Sequence, residues 1–317
     1  MSQMQEISYL SADGIHTVQG GEWQPDGTPR GVVQIVHGVA EHIGRYEHVA
    51  QFLNQQGYVV CGQDHLGHGH TAADGIFGYF APRDGWNLVV QDIRHLREQM
   101  GAKYPNLPYV MLGHSMGSFL TRTYLIRYPG TLDGAILSGT GQEAAPLVAG
   151  GQALAKLLCF LRGPKYVSSI TYRLSLGGYN RFFRKDPHSG SWLSRDEERV
   201  KANRKDPLCS FRPTVSMFRD MLGGIQFIGK PSNVRRMDPN LPLYLFSGDR
   251  DPVGNMGKGV QKVAELFRQA GCQDVTVKLY PGGRHEMLNE INRQEVMEDL
   301  LAWLEEKVVL QRKEISE

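Results

Sequence analysis

A chain of 317 residues with 41% hydrophobic and 21% charged side chains can bury a large core, which excludes a disordered or low-complexity protein. A formal net charge of +2 gives no electrostatic footprint for nucleic acid. The four cysteines, Cys61, Cys159, Cys209 and Cys272, form no CxxC pair that would suggest a disulfide framework or a thiolate metal site.

Residues 1–15 carry no basic stretch followed by an apolar core, so no secretory signal is expected. Residues 6–11 and 16–23 alternate weakly around a turn at Asp13-Gly14 and predict an antiparallel hairpin at a sheet edge. Residues 31–36, GVVQIV, form a buried β-branched strand that runs into His37-Gly38-Val39-Ala40-Glu41-His42. A helix over 47–56 ends at Gly57, and a strand over 58–63 leads to Asp64-His65-Leu66-Gly67-His68-Gly69-His70. Residues 84–103 predict a long amphipathic helix with Val89, Ile93, Leu96 and Met100 on one face. A strand at 109–112 is followed by a helix over 116–128, which Pro129-Gly130 stops, and by a strand at 134–138.

From 141 to 237 the rhythm breaks. Helical pieces at 152–161 and 215–222 lie among loops rich in Arg, Pro and Gly. The most apolar long stretch, residues 144–161, is interrupted by Gly150-Gly151-Gln152 and Lys156, which suits a cap helix better than a membrane span. Strand and helix resume at 241–247, 258–269, 275–280 and 292–311. The pattern predicts an α/β fold: a mostly parallel eight-stranded sheet with helices on both faces. Residues 1–140 and 238–317 would form the core domain and 141–237 an inserted helical cap. A cytoplasmic protein is expected.

Gly113-His114-Ser115-Met116-Gly117 is a G-x-S-x-G pattern lying between a predicted strand and helix. On such a turn the serine hydroxyl is pushed above the sheet edge, at the positive end of the new helix. A serine hydroxyl is a weak nucleophile and needs a base oriented by a carboxylate. In this strand-turn-helix setting the acid and then the histidine follow the serine, which leaves His188 and His285 of the eleven histidines. His285, in a loop just past the last strand, is preferred to His188 in the irregular cap. Asp251, beyond the turn that Gly248 permits and backed by Pro252, is the expected acid; Asp249 reads as a local turn residue. The oxyanion hole is expected from the amides of Met116 and of Val39, beside the close-approaching His37-Gly38. Losing one such donor costs ~3 kcal/mol in comparable sites.

Other patterns carry less. Asp64-His65-x-x-His68-x-His70 has the composition of a metal cluster, but Gly67 and Gly69 interrupt it, and structural loop residues are the simpler reading. Gly139-Thr140-Gly141 lacks the third glycine and acidic partner of a dinucleotide loop. No metal or cofactor is expected. His37 and His42 could touch substrate, though support of the oxyanion loop is the simpler reading. Leu154, Leu157, Leu158 and Leu161 recur at helical spacing, and Leu157 and Leu158 are expected to line an acyl channel, at up to ~0.8 kcal/mol per buried methylene. The cap also offers a surface for transient membrane contact.

These motifs together resemble the monoacylglycerol lipase and lysophospholipase-like branch of the α/β-hydrolases, also described by a serine-aminopeptidase-like domain. The resemblance rests on His37-Gly38-x-x-Glu41-His42-x-x-Arg45-Tyr46, Asp64-His65-x-Gly67-His68-Gly69, the serine turn, Gly248-x-x-Asp251-Pro252-Val253 and His285. Asp206-Pro207-Leu208 resembles a short cap motif of the branch. The resemblance implies a Ser115-His285-Asp251 triad, oxyanion amides at Val39 and Met116, and a cap that forms an acyl tunnel. The expected activity is hydrolysis of a small or monoacyl ester through an acyl-enzyme. A serine peptidase would instead use cap acids among Glu143, Asp186, Asp196, Glu197, Glu198 and Asp220 to hold an α-amino group. A non-catalytic binder is disfavoured because every catalytic part is present.

Overall fold

A computed structural model describes residues 3–72, 76–185 and 190–310. Eight strands form one sheet: β1 (Gln5–Leu10), β2 (Thr17–Trp23), β3 (Gly31–Val36), β4 (Tyr58–Gln63), β5 (Tyr109–His114), β6 (Gly134–Ser138), β7 (Leu243–Gly248) and β8 (Val275–Tyr280), in the order β1-β2-β4-β3-β5-β6-β7-β8. The first two strands pair antiparallel with each other, and β2 pairs antiparallel with β4. The other neighbours run parallel. Strands β3 to β7 are buried along their whole length, as continuous apolar runs covered on both faces require.

Outside the cap region, helices α1 (Glu47–Gln55), α2 (Gly85–Lys103) and α3 (Met116–Arg127) precede it. Between β6 and β7 lie α4 (Ala145–Arg162), α5 (Ser169–Leu174), α6 (Glu197–Lys205), α7 (Val215–Ile228) and α8 (Pro231–Val234). Helices α9 (Lys258–Ala270) and α10 (Arg293–Leu304) complete the chain, the latter running into a wider π turn over Glu305–Leu310. Two apolar cores lie on opposite faces of the sheet. One is built around α2, α3 and α9, the other around α1 and α10. Every residue of α3 except Arg127 is buried, because sheet, α2 and α7 all pack on it.

The cap helices depart from expectation at their ends. Helix α4 begins at Ala145 rather than 152, with a proline in its first turn to preset the backbone, and it runs through Gly150-Gly151. Helix α7 continues past Gly223-Gly224 to Ile228. Gly224 does not end a helix there; it lets the Trp86 indole pack directly on the backbone, where any Cβ would collide. Helix α7 lies on α2 and α3, and α4 lies on α7, so the region has an inner and an outer tier. No described helix is long and apolar enough to cross a membrane.

Candidate active site

The turn from β5 into α3 holds Ser115 at φ 54° and ψ −121°, a backbone state that L residues seldom adopt and that a functional site can sustain. Its amide donates to the Ser138 carbonyl at 2.9 Å, which pins the turn to β6. A Cβ at Gly117 would run into the Val36 carbonyl oxygen, so glycine lets α3 leave the turn against the end of β3. Gly38, on the loop after β3, is also crowded: an added Cβ would sit 2.7 Å from Glu41 Oε1 and 3.0 Å from Ser115 Cβ.

His285 Nδ1 lies 2.9 Å from Asp251 Oδ2. Asp251 is fully buried, and its carboxylate also accepts from Ser247 Oγ and from the Val253 amide, both at 2.8 Å. That leaves His285 Nε2, buried and without a hydrogen-bond partner among the described residues. Asp249 instead accepts the Gly282 amide at 2.7 Å, as a local turn residue does. His188 and Asp186 lie outside the described residues. Burial pulls the His285 imidazolium down. The Asp251 carboxylate, with Glu286 and Glu41 behind it, outweighs that and holds its pKa above the ordinary histidine value. His114, 4.8 Å away between ring centroids, is pushed down to about 4 by burial and by the charge of His285, so it stays neutral.

The loop after β3, which carries Gly38 and Val39, is braced by ion pairs that the sequence alone did not assign. Glu41 accepts from the Gly38 amide and, at 2.9 Å, from the Tyr46 hydroxyl. Arg45 reaches Glu41 at 2.6 Å and grips Glu286, the neighbour of His285, through both terminal nitrogens. Burial alone would raise Glu286, but Arg45 draws it down to about 2, so it remains charged. The amides of Val39 and Met116 make no hydrogen bond within the chain among the described residues, the state an oxyanion pair needs.

The segment between β6 and β7 packs on the loop of His285. Trp192 lies 5.0 Å from the His285 ring, and its carbonyl accepts the His285 amide. Behind this contact stands Glu290, whose carboxylate is fully buried and accepts from the amides of Arg195, Arg284 and Ile291 and from Arg195 Nε. The pattern His285-Glu286-x-x-Asn289-Glu290 was visible in the sequence, but only the fold shows which cap residues it meets.

Ser115 and His285 face one cavity of about 360 Å3, walled by Val39, Tyr172, Leu176, Trp192, Leu193 and Phe211. Neither Leu157 nor Leu158 lines it. Helix α4 packs through Val148 and Ala155 and turns Leu157 outward, 53% exposed. His37 does not line it either. It is buried under the loop, accepting the His65 amide on Nε2 at 3.1 Å with Nδ1 2.7 Å from the Gly38 carbonyl. Asp64 ties the amides of Ile43 and His70 together, each at 2.8 Å, which is the structural role expected of that loop. A larger surface groove of about 510 Å3 between α2, α4 and α7 is lined by no serine, threonine or cysteine. None of the cap acids Glu143, Asp196, Glu197, Glu198 and Asp220 reaches the cavity at Ser115.

The sequence profile described as serine aminopeptidase, S33, matches residues 27–292. The chain belongs to that family of α/β-hydrolases. It is 32% identical to a monoacylglycerol lipase of Mycolicibacterium smegmatis over 96% of this chain and 98% of that protein. It is 29% identical to the human monoglyceride lipase, over 90% and 86%. The structure resembles a thermostable carboxyl esterase from Bacillus coagulans, solved in complex with glycerol, with a TM-score of 0.90, 31% identity and coverage of 97% and 100%. The protein is a serine ester hydrolase.

Proposed function

We propose that this hydrolase cleaves monoacyl esters of glycerol or of a similar small alcohol through a covalent acyl-enzyme. The carrying observation is the buried Asp251–His285 pair, whose imidazole lines the same cavity as Ser115 and whose Nε2 has no other hydrogen-bond partner among the described residues. His285 Nε2 accepts the Ser115 proton as Oγ attacks the ester carbonyl, and Asp251 stabilises the imidazolium. The amides of Val39 and Met116 receive the developing oxyanion. The imidazolium then protonates the leaving alcohol, and a water activated by the same base releases the fatty acid. In this reading residues 1–140 and 238–317 are the catalytic core, and 141–237 the cap that covers the acyl chain.

The outer face of α4 exposes Leu147 at 66%, Leu157 at 53%, Phe160 at 86% and Leu161 at 61%. Contiguous apolar exposure of this kind marks an interaction surface, and a transient contact with a membrane carrying the lipid substrate fits it. Cys61, Cys159, Cys209 and Cys272 are all free thiols, which suits a reducing cytoplasm.

The discriminating experiment compares kcat/KM on a monoacylglycerol, on p-nitrophenyl esters of graded length and on aminoacyl-anilides. Monoacylglycerol and medium to long esters should lead. A peptidase would favour the anilides, and its profile would overturn the proposal.

A further inference from the structure

Away from the triad, three metal-ligating side chains converge from two separate segments. His42 Nε2, Asp206 Oδ2 and Cys209 Sγ all lie within 4.8 Å of one another. Asp206 and Cys209 stand at the two ends of the turn Asp206-Pro207-Leu208-Cys209, closed by the Cys209 amide on the Asp206 carbonyl at 3.1 Å. Two ligands separated by two residues is the spacing with which zinc sites bring a ligand pair to one side of a turn. The Leu208 amide holds Asp206 Oδ1 at 2.8 Å, which leaves Oδ2 aimed at His42 Nε2, 2.9 Å away. A carboxylate oriented through its second oxygen is the outer-shell arrangement found at metal centres. His42 belongs to the oxyanion loop, Asp206 and Cys209 belong to the cap, and Cys209 also lines the cavity at Ser115.

We propose that His42, Asp206 and Cys209 bind a zinc-class divalent cation that clamps the cap to the oxyanion loop and reversibly stops ester hydrolysis. On binding, the Cys209 thiol releases its proton to solvent. Thiolate and carboxylate then balance the two positive charges, and the neutral imidazole adds none. Nε2 and Oδ2 need to part by only roughly half an ångström to hold a tetrahedral ion between them, with a fourth position left to water. The His42 and Asp206 side chains are 14% and 29% exposed, which gives the ion a way in. Thiolate and imidazole favour Zn2+ and Co2+ over Mg2+, which prefers oxygen ligands and its own waters. The filled site ties the loop after β3 to the segment of Asp206 and Cys209 at the wall of the cavity that holds Ser115, where an ion on Cys209 stands in the way of the substrate.

The test uses the full chain, stripped with a chelator. ZnCl2 should lower hydrolysis of p-nitrophenyl butyrate by about tenfold or more, MgCl2 should not, and chelator should restore the rate. CoCl2 should produce a thiolate-to-cobalt charge-transfer band. Cys209→Ser and Asp206→Asn, each compared with its own metal-free rate, should weaken the zinc effect by at least about tenfold, and Cys209→Ser should lose the band. The band in the unaltered protein is a direct readout that needs no variant to fold and is independent of which ester is cleaved. Absence of the band, equal inhibition by Mg2+, or zinc inhibition unchanged in both variants would overturn the proposal; the last would put the ion on another group such as His285.

Discussion

Arg45 holds Glu286 with Nη1 at 3.0 Å and Nη2 at 2.8 Å, joining the loop after β3 to the loop that carries His285 across 241 residues of chain. The same guanidinium holds Glu41, which in turn fixes the Gly38 amide. The proposed oxyanion loop and the proposed base are thus set on one polar brace. Arg45→Ala would leave two buried carboxylates without their cation. Breaking a buried pair from one side costs about 3–5 kcal/mol, so urea unfolding should report a loss of that order. Arg45→Lys keeps the charge without the planar fork and should retain more stability while still lowering kcat. A stability equal to the unaltered protein in Arg45→Ala would refute the brace.

The base works only when neutral, so kcat/KM should fall as pH drops through the His285 pKa. Asp251, Glu286 and Glu41 hold that value above the ordinary one despite burial, which puts the acid limb above pH about 6.5. Glu286→Gln removes one of the negative charges that stabilise the imidazolium. Its acid limb should therefore move to lower pH. A limb that stays put or moves up would contradict the electrostatic assignment.

The two aspartates beyond β7 are separated by their partners: Asp251 meets His285, and Asp249 meets the Gly282 amide. Asp251→Asn should lower kcat by about 10^4 with little change in KM, because the imidazole loses its orienting carboxylate. Asp249→Asn should act on thermal stability and leave kcat nearly intact. Steady-state kinetics on both variants check the assignment, and the reverse pattern would place the acid on the other side of the turn.

Phe160 and Leu157 on the outer face of α4 are free of the cavity at Ser115. Phe160→Glu with Leu157→Glu should weaken sedimentation with lipid vesicles and slow hydrolysis of vesicle-borne monoacylglycerol. Hydrolysis of soluble p-nitrophenyl acetate should be unaffected. Equal loss on both substrates would show that this face serves packing and not lipid contact.

The sheet was legible because its central strands are mostly apolar runs, and Ser115, Asp251 and His285 could be singled out because each follows a strand end in the chain order expected of such a site. The cap was harder, because glycine there has two meanings. Gly150 and Gly224 look like helix breakers in sequence, yet both lie inside helices, Gly224 because the Trp86 ring packs on its backbone. The leucine stripe of α4 has the period of a packing face, but the helix seats on α7 through Val148 and Ala155 and turns Leu157 and Leu161 to solvent. Periodicity marks an apolar face without telling what covers it. The pairing of Glu290 with Arg195 and of Glu286 with Arg45 joins residues far apart in the chain, and no local spacing signals either.

The central claim, that Ser115 is the nucleophile, is tested most directly by a fluorophosphonate probe followed by peptide mass spectrometry. The probe should modify Ser115 alone and abolish esterase activity in proportion to labelling, and Ser115→Ala should be unlabelled and inactive while keeping its thermal unfolding transition. Labelling on another residue, or ester hydrolysis that persists in folded Ser115→Ala, would contradict it.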